Sequence, residues 1–277
     1  STVSTTAIST ANGAADGGGT NASEQRLLDP NDDGDTSDQA QTSEGSASDG
    51  GLSFAGAVAV SIYLPQTLAY IDTTGTLSAT GDIELSATAT ETLTSIADAS
   101  NTGSGGSGVG VAVAFGLMDT TVRAYLGGSA TLTAANLAVN ATLDADNTYK
   151  TEAKSGVGDG SKTGVAGALA INVVQSTVEA LIASASTLDL NGANLTLAAM
   201  SQTTTETNAI PHEQASTSES LGIGASIALT ITDNQTRAAI EDSASVVNGA
   251  DIRLDATVQA CHCDHRHWRC AGNRQFG

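Results

Sequence analysis

An all-β repeat solenoid is the fold class that the sequence predicts, and three observations predict it. A stretch from residue 51 to 87, GLSFAGAVAVSIYLPQTLAYIDTTGTLSATGDIELSA, is written four times at a spacing of about 55 to 58 residues. Self-similarity at a fixed period marks a repeat architecture. Each copy opens with strict alternation, the two-residue period of a strand. The composition is 40% hydrophobic but 3% aromatic, with 30 glycines and 3 prolines, which suits many strands and many turns.

The copies align without gaps over their first half. Phe54, Val109, Val165 and Ile223 share one column, followed by Val58/Val113/Leu169/Ile227, Val60/Phe115/Ile171/Leu229 and Ile62/Leu117/Val173/Ile231. Further along come Ile71/Leu126/Ile182/Ile240 and Leu77/Leu132/Leu188/Val246. Each copy closes on Asp82, Asn136, Asn194 or Asp251 and an alternating apolar pair. The alternation in the first segment is chemically lopsided. Between the large aliphatics lie Ala55/Gly110/Ala166/Gly224, Ala57/Ala112/Ala168/Ser226 and Ala59/Ala114/Ala170/Ala228. A solvated strand face would carry Lys, Glu or Thr, so a second backbone layer is expected close against the small-residue face. Parallel sheets covered on both sides read this way.

Taken in order, residues 1–20 read as the end of a truncated upstream repeat, because they resemble ATETLTSIADASNTGSGGSG at 89–108. Residues 21–50 are polar and acidic, too poor in apolar groups to pack a core, and read as an inserted loop. Repeats follow at 51–107, 108–163 and 164–221, with a partial fourth at 222–260 and an aberrant tail at 261–277. Variable loops are expected at the junctions Asn101–Ser107, Ser155–Thr163 and Pro211–Leu221. Because Ser1 opens inside a Thr/Ser-rich strand-like run, the chain reads as a fragment that stacks on neighbouring repeats of a longer one.

Two architectures fit this pattern. One is a parallel β-helix with coils of about 20 residues, so that one repeat makes two or three coils. The alternative is a row of tandem small β-sandwiches, one per repeat. The β-helix is preferred because Ile71, Leu77 and Ile83 are only six apart, too close for sandwich crossovers. Both faces of the long strand are also apolar, and so few aromatics would make a poor isolated core.

Thirty acidic against ten basic side chains give a formal net charge of −20. Such a surface repels nucleic-acid phosphates and anionic lipid. No apolar run reaches the roughly 18 residues that span a bilayer, so no direct membrane insertion is expected of this fragment. The body before residue 261 has no cysteine, which suits exported bacterial proteins.

The segments GVGVAVAF and GVAGALAINVV, then TVRAYL and TVEALI, then SATLTA and ANLAVNA, resemble the repeats of large bacterial filamentous-haemagglutinin-like adhesins and autotransporter passenger proteins. The resemblance covers residues 51 to 260. It implies an extracellular or outer-surface location, a long stalk, and a role in adhesion or biofilm matrix, with a host or matrix glycan or protein as partner. No catalysis is expected, because no chemical constellation recurs among the four copies.

One metal site is a candidate. Asp29, Asn31 and Asp33 fall at positions 1, 3 and 5 of a calcium loop with Gly34 at position 6, and Asp35 follows as a backbone-carbonyl ligand. Ala40 stands where a bidentate Glu would close an EF-hand, so only a looser calcium loop is expected. Calorimetry is expected to show binding at about 10⁻⁴ to 10⁻³ M, lost in Asp33→Ala; identical heats in both proteins would reduce the loop to a linker.

For catalysis the body offers little. Residues 156–163, GVGDGSKT, mimic a phosphate-binding loop, but Ser161 stands where a glycine must precede Lys162. His212 is the only histidine before the tail and is expected in a surface loop. A carboxylate pair of glycosidase type is available by count alone, which leaves a polysaccharide-active β-helix enzyme as the alternative function. Against it, the body's seven Lys and Arg look scattered: Arg26, Arg123, Lys150, Lys154, Lys162, Arg237 and Arg253.

The tail CHCDHRHWRCAGNRQFG holds all three cysteines, three of the four histidines and the only tryptophan. Cys261, Cys263, His265, His267 and Cys270 suggest zinc, but the spacing is not that of a zinc finger. Its codons, read one nucleotide later, allow the Ala/Val and Thr/Ile alternation of the body. The tail is therefore expected to be a disordered, frameshifted continuation, and any zinc binding adventitious.

Overall fold

The computed structural model describes residues 2–8, 52–100, 106–157, 161–213, 221–264 and 267–271. Most of them lie in strands, and none is helical. The first repeat folds as β2 (Leu52–Tyr63), β3 (Gln66–Thr73), β4 (Thr76–Ser78), β5 (Ile83–Ala89) and β6 (Thr92–Ser100). In the second repeat β7 (Gly106–Thr133) runs through the counterparts of β2, β3 and β4, and β8 (Asn136–Leu143) and β9 (Thr148–Val157) follow. The third comprises β10 (Ser161–Ile182), β11 (Thr187–Asp189) and β12 (Asn194–Glu213); the fourth, β13 (Leu221–Ile240), β14 (Ser245–Val247) and β15 (Ile252–Asp264).

Every repeat lies parallel to the next and almost in the register of the sequence alignment. Phe54 pairs with Val109, Val109 with Val165, and Val165 with Ile223; Ile71, Leu126, Ile182 and Ile240 do the same. The chain thus returns to its own column after one repeat. Two or three short coils per repeat are not what forms. The closely spaced Ile71, Leu77 and Ile83 mark successive sides of one wide turn rather than successive coils. One column slips: Leu188 faces Val246 as aligned, but Ala130 instead of Leu132. A two-residue slip keeps every side chain on its face.

The ladders form two curled sheets, ordered β13-β10-β7-β2 and β6-β9-β12-β15 at their centres. Strand β1 (Thr2–Ile8) pairs parallel with β6, Thr2 opposite Thr92, so the first residues occupy the place of a repeat end. Residues Ser155–Val157, Ser161–Thr163 and Pro211–Glu213 lie in strands, which makes two of the expected loops shorter than the sequence suggested. The tail is not without structure over its described residues. Strand β15 runs through Cys261 to Asp264, and β16 (His267–Ala271) returns antiparallel along its free edge.

The two sheets meet on the small-residue face, as the lopsided alternation predicts. Ala55, Ala57, Ala59, Ala112, Ala114 and Ala170 are buried against Ala97, Ala99 and Ala153 of the facing sheet. This end of the turn is thin. A Cβ on Gly110 would collide with the Gly156 carbonyl and come within 2.8 Å of that of Ala99. The opposite end is wide and filled by Val122, Leu126, Leu132, Leu137, Leu188, Leu195 and their neighbours. At one corner there the chain passes so close to Thr73 that Gly128 must take φ +83°, a conformation that favours glycine. The large aliphatics of the long strand point away from the core and lie uncovered among the described residues, with Val58 at 57% and Ile227 at 63% exposure.

Candidate functional site

Because like positions stack, the side chains of the body form columns, and the charged ones gather where the linear sequence disperses them. Arg123, Glu179 and Arg237 share one outward column of β7, β10 and β13. Arg123 Nε donates to Glu179 Oε2 at 2.7 Å, and Arg237 Nε and Nη2 donate to Glu179 Oε1 at 3.1 and 2.7 Å. Arg237 also pairs with Glu241. Burial pushes the Glu179 carboxyl up, but the bonds from Arg237 and Arg123 outweigh it and hold it below the usual range. A lowered value means stability present above the unfolded carboxyl pKa and lost as pH falls through the folded one.

A second cluster lies on the outer face of the other sheet. Lys150 Nζ reaches Glu152 at 3.1 Å and Glu206 at 3.4 Å, and Lys154 also pairs with Glu152. Burial again raises the Glu152 carboxyl, and Lys154 and Lys150 more than reverse it. Four of the seven body cations read as scattered are therefore tied into two alternating-sign clusters. Reading charges down the repeat columns instead of along the chain reveals the first of them. The repeated Asp/Asn position makes a third column: Asn136 Nδ2 donates to Asp82 at 2.7 Å, Asn194 Nδ2 to Asn136 at 2.8 Å, and the Asp251 amide to Asn194 at 3.2 Å.

A polar seam joins the sheets between the thin and wide cores. Asn172 Nδ2 donates to the Tyr149 carbonyl at 3.0 Å, Ser95 Oγ to the Phe115 carbonyl at 3.0 Å, and Thr230 Oγ1 to Thr207 Oγ1 at 2.6 Å. Glu91 lies in this seam, 3% exposed, with Oε2 unpartnered. Burial pushes its carboxyl up and outweighs the opposing Thr120 hydroxyl; burial and the nearby Glu91 raise the Tyr149 hydroxyl well above its usual range. A raised carboxyl means the folded form keeps a proton that the unfolded chain releases. The resulting handicap is absent below the unfolded pKa, about 4.3, and grows as pH rises toward the folded value. Glu91→Gln is expected to stabilise the protein at pH 7 by about 1–3 kcal/mol and to leave it unchanged near pH 3.5. Paired urea titrations at the two pH values check it, and a loss of stability at pH 7 would contradict it.

Asp29, Asn31, Asp33 and Asp35 lie outside the described residues. Among the described residues no three His, Cys, Asp or Glu side chains gather as a metal site. His212 falls in β12 opposite Gly156 of β9, not in a loop. Gly156 and Val157 end one strand and Ser161–Thr163 begin another, so the phosphate-loop mimic leads into a strand and not a helix. Cys261 is disulfide-bonded, which removes its thiolate from the zinc set proposed by the tail's composition. Neither a family model, nor a curated protein, nor a solved structure matches the chain.

Proposed function

We propose that this chain is a segment of a bacterial surface or secreted protein that acts as a structural stalk or adhesin and performs no chemistry. In this reading the repeats wind as a parallel β-helix of one turn per repeat, and further repeats stack on either end. The observation that carries it is the columnar arrangement itself. Arg123 and Arg237 bind Glu179 of the repeat between them, Lys150 reaches Glu206 of the next repeat, and the seam polar groups bond across the sheets. Side chains spent on holding turn to turn are those of a scaffold. An acidic surface of formal charge −20 fits an extracellular setting and a glycan or protein partner better than nucleic acid.

Two measurements test the proposal. Acidic and neutral glycans are screened for cleavage and for binding side by side; binding without turnover is expected. Turnover that disappears when one carboxylate is replaced would overturn the proposal in favour of a polysaccharide-active β-helix enzyme. Antibody labelling of intact cells of the source bacterium is expected to find the repeats outside, and labelling only after lysis would contradict the location.

A further inference from the structure

The two outer faces of the molecule differ. On the sheet carrying β8 and β12, the outward positions hold Asn140, Thr142, Thr196, Gln202, Thr204 and Glu206 beside Ala138, Ala198 and Met200, a mostly polar face. On the other sheet the outward positions within 56–62, 109–117, 165–173 and 223–231 number nineteen, and none is polar. They are Val, Ile, Leu and Phe apart from Gly56, Gly167 and Ala225. All are half-buried or exposed, and Val58, Val60, Ile62, Ile227 and Ile231 are more than half exposed. With strands about 4.8 Å apart and same-face residues about 6.7 Å apart, the field covers about 600 Å². A monomer rarely leaves so large a continuous apolar patch to water without a use for it.

From this face we infer that two copies of the chain associate sheet to sheet through the β13-β10-β7-β2 surface. Two such faces bury about 1,200 Å² together, the lower bound of specific, stable interfaces. An uncharged aliphatic surface is complementary to itself, which is what a two-fold pair requires, and facing sheets pack readily at about 10 Å. Among the described residues nothing covers this face, and residues 21–50 contain only Leu27 and Leu28 as large apolar side chains. The field carries no charge, but Asp119 and Asp233 stand exposed in the row that bounds it, and each copy bears −20 overall. Like-charged partners joined by an apolar face bind more tightly as salt screens their repulsion.

Sedimentation equilibrium of the 277-residue chain across the micromolar range tests the inference, with non-reducing gels used to exclude disulfide-linked species. A dimer that tightens with added salt is expected. Ile227→Lys, at a side chain that is 63% exposed and so dispensable for folding, is expected to weaken it about tenfold or more. Thr142→Lys, on the polar outer face, is expected to leave it unchanged, and circular dichroism confirms that both variants fold. A monomer at every concentration overturns the inference, as does equal weakening by both variants. Flotation of a monomeric protein with phosphatidylcholine vesicles would assign the face to lipid instead.

Discussion

Gly110→Ala is expected to destabilise the protein by about 3 kcal/mol or more, although it adds a single methyl group. The new Cβ meets backbone on the facing sheet, the carbonyls of Gly156 and Ala99, and backbone cannot rotate aside as a side chain can. The two sheets must separate locally, and the alanine layer beside Gly110 loses contact with them. The adjacent Val111 points outward and is 40% exposed, so Val111→Ala is expected to cost less than about 1 kcal/mol. Urea midpoints of the two variants decide the matter. A tolerated Gly110→Ala or a ruinous Val111→Ala would reverse the assignment of inside and outside.

The second large effect lies at the wide end. Leu137 is 1% exposed and sits between Ile83 and Leu195 in one column. Leu137→Ala is expected to cost about 2–5 kcal/mol, the transfer term plus the cavity it leaves. Ile83→Ala, in an outer turn where the side chain is half-buried, is expected to cost clearly less. Because each turn contacts only its neighbours, loss at an inner turn weakens two interfaces and loss at an outer turn only one. Equal effects in the two denaturation curves would count against stacking as the source of stability.

The column alignment was legible because a stacked repeat repeats its environment, so Val58, Val113, Leu169 and Ile227 could be matched before any coordinates. The inner face was legible too: only Ala and Gly let two sheets approach as closely as they do around Ala112 and Ala153. The outer face was not. Large aliphatics at Val60 and Ile171 read as a second buried side, since an apolar side chain carries no mark of whether its cover belongs to the same chain. Turn size was misread because the corner segments at Leu77 and Ile83 are as short as those of a narrow coil. The Arg123–Glu179–Arg237 ladder escaped because charge was counted along the chain, while the contacts run across it.

The one-turn-per-repeat winding also decides how the molecule answers to force. The hydrogen bonds of the β7–β10 ladder, from Gly106 and Ser161 to Leu126 and Ile182, run along the stacking direction. Tension applied at the chain ends is expected to peel the outermost turn rung by rung instead of shearing all its bonds at once. A turn that occupies about 4.8 Å of the stack releases about 190 Å of extended chain. A stack wound this way is expected to lengthen under load one repeat at a time.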